Sequence, residues 1–318
     1  MNRLKTLTSG MVVGTLMSTA GCGLVAAGPP KIPTSATPKN GMVASYHRLH
    51  PPGLPADVRM YRIHYWSRGV QVEALLTEPR KAGRYPLLVN LHGGGPLPTA
   101  HWNFGYTAFD AASLASPAVV ELYPEYQGYL GSPGPTGGIR TDFMNIQQAV
   151  AIAGEFGAVA PRDTYLLGYS LGGALALMTA GWDHQVRAVA AVSPSVGLAD
   201  QVAYMQSHPH VTGPAIDPNK FRMIANLYGP NIHSSAYRER SPDPQKIDAP
   251  VLLLQGTGDQ NVVWQTVKMF AGQMKRAHKT VKFILYPGGQ HGLHGPYANA
   301  SKQAIEHWFK RYGLTVRL

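Results

Sequence analysis

Hydrophobic residues follow two patterns along this chain. In residues 58–66 and 70–77 they alternate with polar ones: Val58 and Met60 in the first run, Val70 and Val72 in the second. A period of two marks half-buried strands, and Arg68-Gly69 between the runs predicts an antiparallel pair closed by a tight turn. Farther along, the alternation gives way to short apolar blocks at Leu87–Leu91, Ala118–Leu122, Thr164–Leu167, Ala188–Val192 and Val251–Leu254. Such blocks suit parallel strands covered on both faces. Helical patterns lie between them. Residues 142–156 place Phe143, Ile146, Val150 and Ala153 on one face, with Asp142 near the start, where a helix favours negative charge. Residues 171–181, 262–278 and 300–311 read as further helices, and Val281–Tyr286 as one more strand. The alternation of strand and helix predicts an α/β fold: a doubly wound, mostly parallel sheet with an N-terminal antiparallel hairpin.

Residues 197–245 interrupt that alternation with a stretch rich in Pro, Tyr, His and Asn. The strands before and after it end on the same side, so this insert is expected to cap a site there. Tyr204, Met205, Phe221, Met223 and Tyr228 would form its apolar wall, with plain packing on the core as the competing expectation.

The first residues change the picture of where the chain works. Arg3 and Lys5 precede a short, modestly apolar stretch from Leu7 to Met17, followed by Thr19-Ala20-Gly21-Cys22. This order resembles an export leader, and small residues before a cysteine resemble a bacterial lipoprotein signal. Two expectations stand side by side: lipidation and membrane attachment at Cys22, or plain cleavage after Val25-Ala26-Ala27 and secretion. The apolar stretch is too short to span a bilayer, which takes about 20 mostly apolar residues. Residues 1–27 are thus read as leader, 28–45, rich in Pro, Lys, Ser and Thr, as linker, and 46–318 as one catalytic-sized domain. Cys22 is the single cysteine, which excludes an internal disulfide. The net charge is +11, but no dense Lys/Arg run accompanies it, so no nucleic-acid partner is expected.

The candidate chemistry lies at the ends of the predicted strands. Gly168-Tyr169-Ser170-Leu171-Gly172 follows the block Thr164–Leu167 and opens a helical run. G-x-S-x-G in that context is a nucleophile elbow, which projects the hydroxyl of Ser170 and aims the amide of Leu171 at a substrate oxygen. His92-Gly93-Gly94-Gly95 ends the strand Leu87–Leu91, and Gly94 or Gly93 is the expected second oxyanion donor, with His92 holding the loop. Asp259 follows the strand Val251–Leu254, placed either to orient a histidine or to cap the next helix. His291, in a glycine-flanked loop after Val281–Tyr286, is the expected general base, with His294 as its rival. The order Ser, Asp, His distinguishes the arrangement from trypsin-like and subtilisin-like enzymes. His208 and His210 flank Pro209 without further ligands at workable spacing, so no metal is expected.

With these motifs in place, residues 60–312 resemble the catalytic domain of the prolyl oligopeptidase family, a branch of the α/β-hydrolase superfamily. The resemblance is carried by the His92–Gly95 loop, Tyr126-Gln127-Gly128-Tyr129, Pro161-Arg162-Asp163 before the elbow, and Tyr237-Arg238-Glu239-Arg240-Ser241-Pro242 followed by Ile247-Asp248-Ala249-Pro250. It implies Ser170, Asp259 and His291 as a triad performing acyl transfer to water, with no metal and no organic cofactor. Gln255 stands where the family usually has histidine, and Gln127 where it often has arginine. Residues 1–45 are too few for a gating propeller, whose blades take about 40–45 residues each. The expected substrates are therefore small esters or short amides. Short peptides are the alternative, and a non-catalytic binding protein is the reading from another class.

Overall fold

The computed structural model describes residues 39–95, 97–208 and 218–318. The leader-like segment with Cys22 lies outside the described residues, as do His210 and most of the linker. Nine strands form one sheet: β1 (Val43–Leu49), β2 (Val58–Ser67), β3 (Val70–Pro79), β4 (Tyr85–Leu91), β5 (Val120–Pro124), β6 (Val159–Tyr169), β7 (Val186–Val192), β8 (Val251–Gly256) and β9 (Val281–Tyr286). Their order across the sheet is β1-β2-β3-β5-β4-β6-β7-β8-β9. The pairs among β1, β2, β3 and β5 are antiparallel, and all pairs from β5 to β9 are parallel. The β2–β3 hairpin closes as expected. Ser67 pairs with Val70, and both turn residues take positive φ, 54° at Arg68 and 80° at Gly69, the backbone that matches the twist of a two-residue hairpin.

The helices are α1 (Ala108–Leu114), α2 (Ile139–Ala153), α3 (Leu171–Trp182), α4 (Leu198–Ser207), α5 (Pro218–Tyr228), α6 (Ser235–Arg238), α7 (Trp264–Arg276) and α8 (Ala298–Arg311). Each apolar block feeds two cores, because successive strand residues face opposite ways. Leu87 and Val89 of β4 and Val251 and Leu253 of β8 join residues of α2, α3 and α7 on one face. Leu88 and Leu252, one position on, join Ile305, Trp308 and Phe309 of α8 on the other. Helix α1 lies on that second face too, packing Ala111 and Ala112 against Met60, Leu75 and Tyr123. The continuous apolar runs are thus strands buried on both sides, as the pattern predicted.

Three features differ from the sequence expectation. Strand β1 was not anticipated, and it starts inside the expected linker. Its sequence Val-Ala-Ser-Tyr-His-Arg-Leu is mostly half-exposed, so the polarity pattern is weak and pairing with β2 is what makes it a strand. Helix α1 is seven residues long, too short for a periodic signal. A reciprocal cap at Thr107 and Asp110 starts it. In α2 the buried face is rotated: Ile139, Asp142, Asn145, Ile146, Ala149, Ile152 and Ala153 are buried, while Phe143 and Val150 are only partly so. Asn145 sets that rotation. Its Oδ1 accepts from the Gln127 amide, its Nδ2 donates to Ser67 Oγ, and its carbonyl accepts from Tyr65 Oη. Asp142 is therefore not a solvated helix-start carboxylate but a fully buried one, and burial pushes its pKa well above the ordinary carboxylate range.

Candidate active site

Ser170 sits between the last residue of β6 and the first of α3, with φ 56° and ψ −118°. A non-glycine residue with positive φ is sterically costly, and here the surroundings enforce it. Its amide donates to Val192 O of β7, and its carbonyl accepts from the amides of Gly173 and Ser195. The elbow glycines are required by contact. A Cβ on Gly168 would lie 2.1 Å from Gly172 O, and one on Gly172 would lie 2.1 Å from Leu91 O of β4. The strand, the helix and the neighbouring strand thus meet backbone to backbone under the serine.

The loop after β4 runs against the same residue. A Cβ on Gly93 would come within 3.3 Å of Ser170 Cβ, and one on Gly94 within 2.4 Å of Tyr129 Oη. Tyr129 Oη accepts from the Gly95 amide at 3.1 Å. Among the described residues the amides of Gly93, Gly94 and Leu171 donate to no backbone carbonyl in the turns and loops. His92 has the supporting part expected of it. It is 4% exposed, stacks on Tyr126 at 4.0 Å between centroids, and lies with Nε2 3.3 Å from Glu125 Oε2, close but not aligned as a hydrogen bond. Glu125 Oε1 in turn accepts from the Tyr106 amide at 2.6 Å.

Beyond β8, Asp259 is buried, and His291 Nδ1 lies 3.0 and 2.9 Å from its two oxygens. Asp259 also closes the turn before α7, its Oδ1 accepting from the amides of Asn261 and Val262. One carboxylate thus meets the His291 ring and closes the turn, but it does not cap α7, whose N-cap is Val263 with no side-chain cap hydrogen bond. Two supports escaped the sequence reading. Gln255 Nε2 donates to Asp259 Oδ2 at 2.9 Å, and Ser193 Oγ accepts from the Gly292 amide at 3.0 Å, tying the His291 loop to β7. His294, the rival, is exposed at the cavity rim, and the hydrogen bonds to Asp259 are made by His291. Ser170 and His291 line one cavity without a direct side-chain hydrogen bond, a contact that in substrate-free sites commonly tightens only when substrate enters.

Burial opposes ionisation of Asp259, but the hydrogen bond and charge of His291, with the amides of Val262 and Asn261, outweigh it, and its pKa falls below the ordinary value. A depressed folded pKa means stability that is present above the unfolded pKa of about 4 and lost as pH falls through the folded value. Wild-type protein is therefore expected to lose more stability than Asp259→Asn across that acid window. Urea midpoints measured from pH 6 to pH 2 check this, and parallel curves for the two proteins would refute it.

The cavity has a volume of about 960 Å³. Its apolar wall comes from Leu97, Trp102, Phe104 and Tyr106, not from the insert: no described residue of 197–245 lines it. The expected acyl wall is thus corrected. Met205 packs with Leu198, Val202, Ile224, Tyr237 and Val263, with Tyr204 and Tyr228 against that cluster, while Met223 is exposed. The insert's buried apolar residues pack on one another and on Val263, and it reaches the cavity only by backing Leu97, while the Phe221 side chain lies outside the described residues. The aromatic run Trp102-Asn103-Phe104-Gly105-Tyr106 was the available sequence signal. Among the described residues no group of three or more His, Cys, Asp or Glu side chains could hold a metal ion.

The model of the prolyl oligopeptidase family matches residues 140–314, more than half of the chain and both the elbow and the His291 loop. The chain belongs to the prolyl oligopeptidase family. Its membership makes it a serine hydrolase, a peptidase or an esterase. Among sequence relatives it is similar to the uncharacterized peptidase YtmA of Bacillus subtilis (strain 168), with 28% identity over 74% of this chain and 87% of that one. Its fold is similar to that of Pyrococcus horikoshii acylaminoacyl peptidase, with a TM-score of 0.64 and 16% identity over 82% of this chain. This chain spans 42% of that peptidase's length. An acetyl xylan esterase from Paenibacillus sp. R4 is equally similar in fold, with a TM-score of 0.64 and 18% identity, over 84% of this chain and 88% of that one.

Proposed function

We propose that this family member hydrolyses small esters or short amides through an acyl-enzyme on Ser170, with His291 as general base and Asp259 holding it. The observation that carries the reading is one cavity shared by Ser170 and His291, with Asp259 bound to the far nitrogen of the same imidazole. Asp259 on Nδ1 fixes the tautomer that leaves Nε2 free to accept the serine proton. As Ser170 Oγ bonds to the carbonyl carbon, its proton passes to His291, and the carbonyl oxygen gains charge beside the amides of Leu171 and Gly93 or Gly94. His291 then gives the proton to the leaving alcohol or amine. Water enters, loses a proton to His291 and bonds to the acyl carbon, and His291 returns that proton to Ser170 Oγ as the Oγ–acyl bond breaks and the acid leaves. Each oxyanion donor in such a site accounts for about 3 kcal/mol of barrier lowering.

Cavity size supports a small substrate. Small-molecule sites occupy about 300–1,000 Å³, and this cavity lies at the upper end of that range. Remote binding energy is what drives the harder amide cleavage, and a site of this extent offers little of it to a long peptide. Short-chain p-nitrophenyl esters are expected to show kcat/KM about tenfold or more above aminoacyl anilides. The relation to a named peptidase favours a second reading, cleavage of short peptides by the same serine. Efficient oligopeptide cleavage with negligible ester turnover would establish that reading in place of the first.

A further inference from the structure

Behind Ser170 the cavity continues as a groove on the face of the sheet that carries α1 and α8. Its floor is Asn90 of β4 and Leu167 of β6, register partners on the two central strands. Ser113 and Leu114 of α1 form one bank and Lys302 of α8 the other, and Tyr169 connects the groove to the nucleophile. Neither helix is centred on this strip, although its floor residues are themselves buried. Helix α1 packs toward β3, and α8 packs over β7 and β8.

Asn90 is the unusual part of that floor. It is 1% exposed, its Nδ2 is wholly buried, and among the described residues its side-chain amide makes no hydrogen bond within the protein. A buried amide without a partner is costly, so one left facing a cavity calls for a ligand group that completes it. An asparagine offers a donor and an acceptor side by side, and a second amide returns both. Leu114 and Leu167 flank the position with hydrocarbon, where such a pair is not weakened by competing water.

The direction of the groove says which part of a substrate enters it. In acyl transfer the general base returns its proton to the departing group, which must lie beside the imidazole. The His291 loop leads directly into α8, and Gly292 and His294 line the cavity together with Lys302. Leu171 and Val262, which belong to the core on the α3 face, line the other side and are left for the acyl group.

We propose that the α1–α8 groove is a leaving-group subsite, and that it selects an alcohol or amine arm carrying an amide that pairs with Asn90. This rests on the assignment of Ser170 and His291 above. The test compares two acetate esters with arms of like length, 2-acetamidoethyl acetate and pentyl acetate, in wild-type and Asn90→Leu protein. Ethyl acetate, whose two-carbon arm carries no amide, reports whether the serine site works. The preference for the amide arm, as a ratio of kcat/KM values, is expected to fall about tenfold or more in Asn90→Leu. Comparing the two ratios cancels the intrinsic reactivity of the esters. Ser113→Trp, which plugs the groove from an exposed position, is expected to slow both long-armed esters relative to ethyl acetate and serves if Asn90→Leu does not fold. Unchanged ratios with ethyl acetate still hydrolysed would overturn the subsite alone. A Tm that rises in Asn90→Leu at an unchanged ratio would identify the amide as merely buried. Loss of all Ser170-dependent ester hydrolysis in the wild type would instead bring down the assignment of the site, and the subsite with it.

Discussion

Ser170→Ala is expected to lower kcat toward p-nitrophenyl acetate by about 10⁴-fold or more while leaving the folded protein intact. The size follows from the roles. Without the hydroxyl no acyl-enzyme forms, and the oxyanion amides and His291 are left to assist direct attack by water. The stability expectation follows from the contacts. Among the described residues the Ser170 side chain makes no hydrogen bond, and what holds the residue is its backbone, through Val192, Gly173, Ala174 and Ser195. Alanine keeps all four bonds and adopts the same backbone with a similar steric cost. Labelling with a fluorophosphonate probe, with circular dichroism to follow the fold, checks both halves at once. Undiminished labelling of a folded Ser170→Ala protein would remove Ser170 as the nucleophile. A variant that cannot fold would show that the hydroxyl has a structural role which the hydrogen bonds do not reveal.

The second large effect is expected at Gly172, and here it falls on stability and activity together. A Cβ at this position would lie 2.1 Å from Leu91 O and 2.5 Å from His92 O, both backbone atoms of β4 and its loop. Backbone inside a central strand cannot rotate aside as a side-chain end can. Gly172→Ala must therefore lift the first turn of α3 off β4, carrying Ser170 and the Leu171 amide with it. Overpacking of this kind costs about 1–3 kcal/mol, and more where nothing can yield, so about 3 kcal/mol is expected. A displacement near 1 Å at the reacting atoms costs about 100-fold in rate. Gly181, in the last turn of the same helix, is the internal control. A Cβ there would meet Lys246 Cβ at 3.5 Å, an ordinary contact. Gly181→Ala is expected to be neutral or to stabilise by up to about 1 kcal/mol through helix propensity. Thermal unfolding and esterase assays on the two variants decide the matter. Equal melting temperatures would show that the close approach at Gly172 is relieved without cost.

These two sites also mark how far the chain could be read without its fold. Hydrophobic periodicity and turn residues are local signals, so the β2–β3 hairpin, the parallel strands from β4 to β9 and the helices α3 and α8 were legible within a few residues. The elbow was legible for the same reason: strand, Gly168, Ser170, Gly172 and helix are contiguous, and each constrains its neighbour. The order of Ser170, Asp259 and His291 at strand ends was enough to place their backbones at one edge of a parallel sheet, where the C-terminal ends of strands gather.

What the fold alone decided depends on residues far apart in the chain. The rotation of α2, and with it the burial of Asp142, is set by Asn145 meeting Ser67 and Gln127. The aromatic wall was expected from the insert because its composition is apolar. Composition does not say which partner an apolar side chain finds, and the insert's helices satisfied one another while the 97–106 loop took the wall. The hold of Gln255 on Asp259, the anchor from Ser193 to the His291 loop, and the groove that brings Asn90 to the floor between α1 and α8 likewise have no signature in sequence spacing. The sequence by itself determined the central strands, the longer helices and the residues that stand at their ends, but not β1 or α1. The tertiary structure determined what those ends touch, because hydrogen bonding and packing act across space at a range of a few ångströms, whatever the separation along the chain.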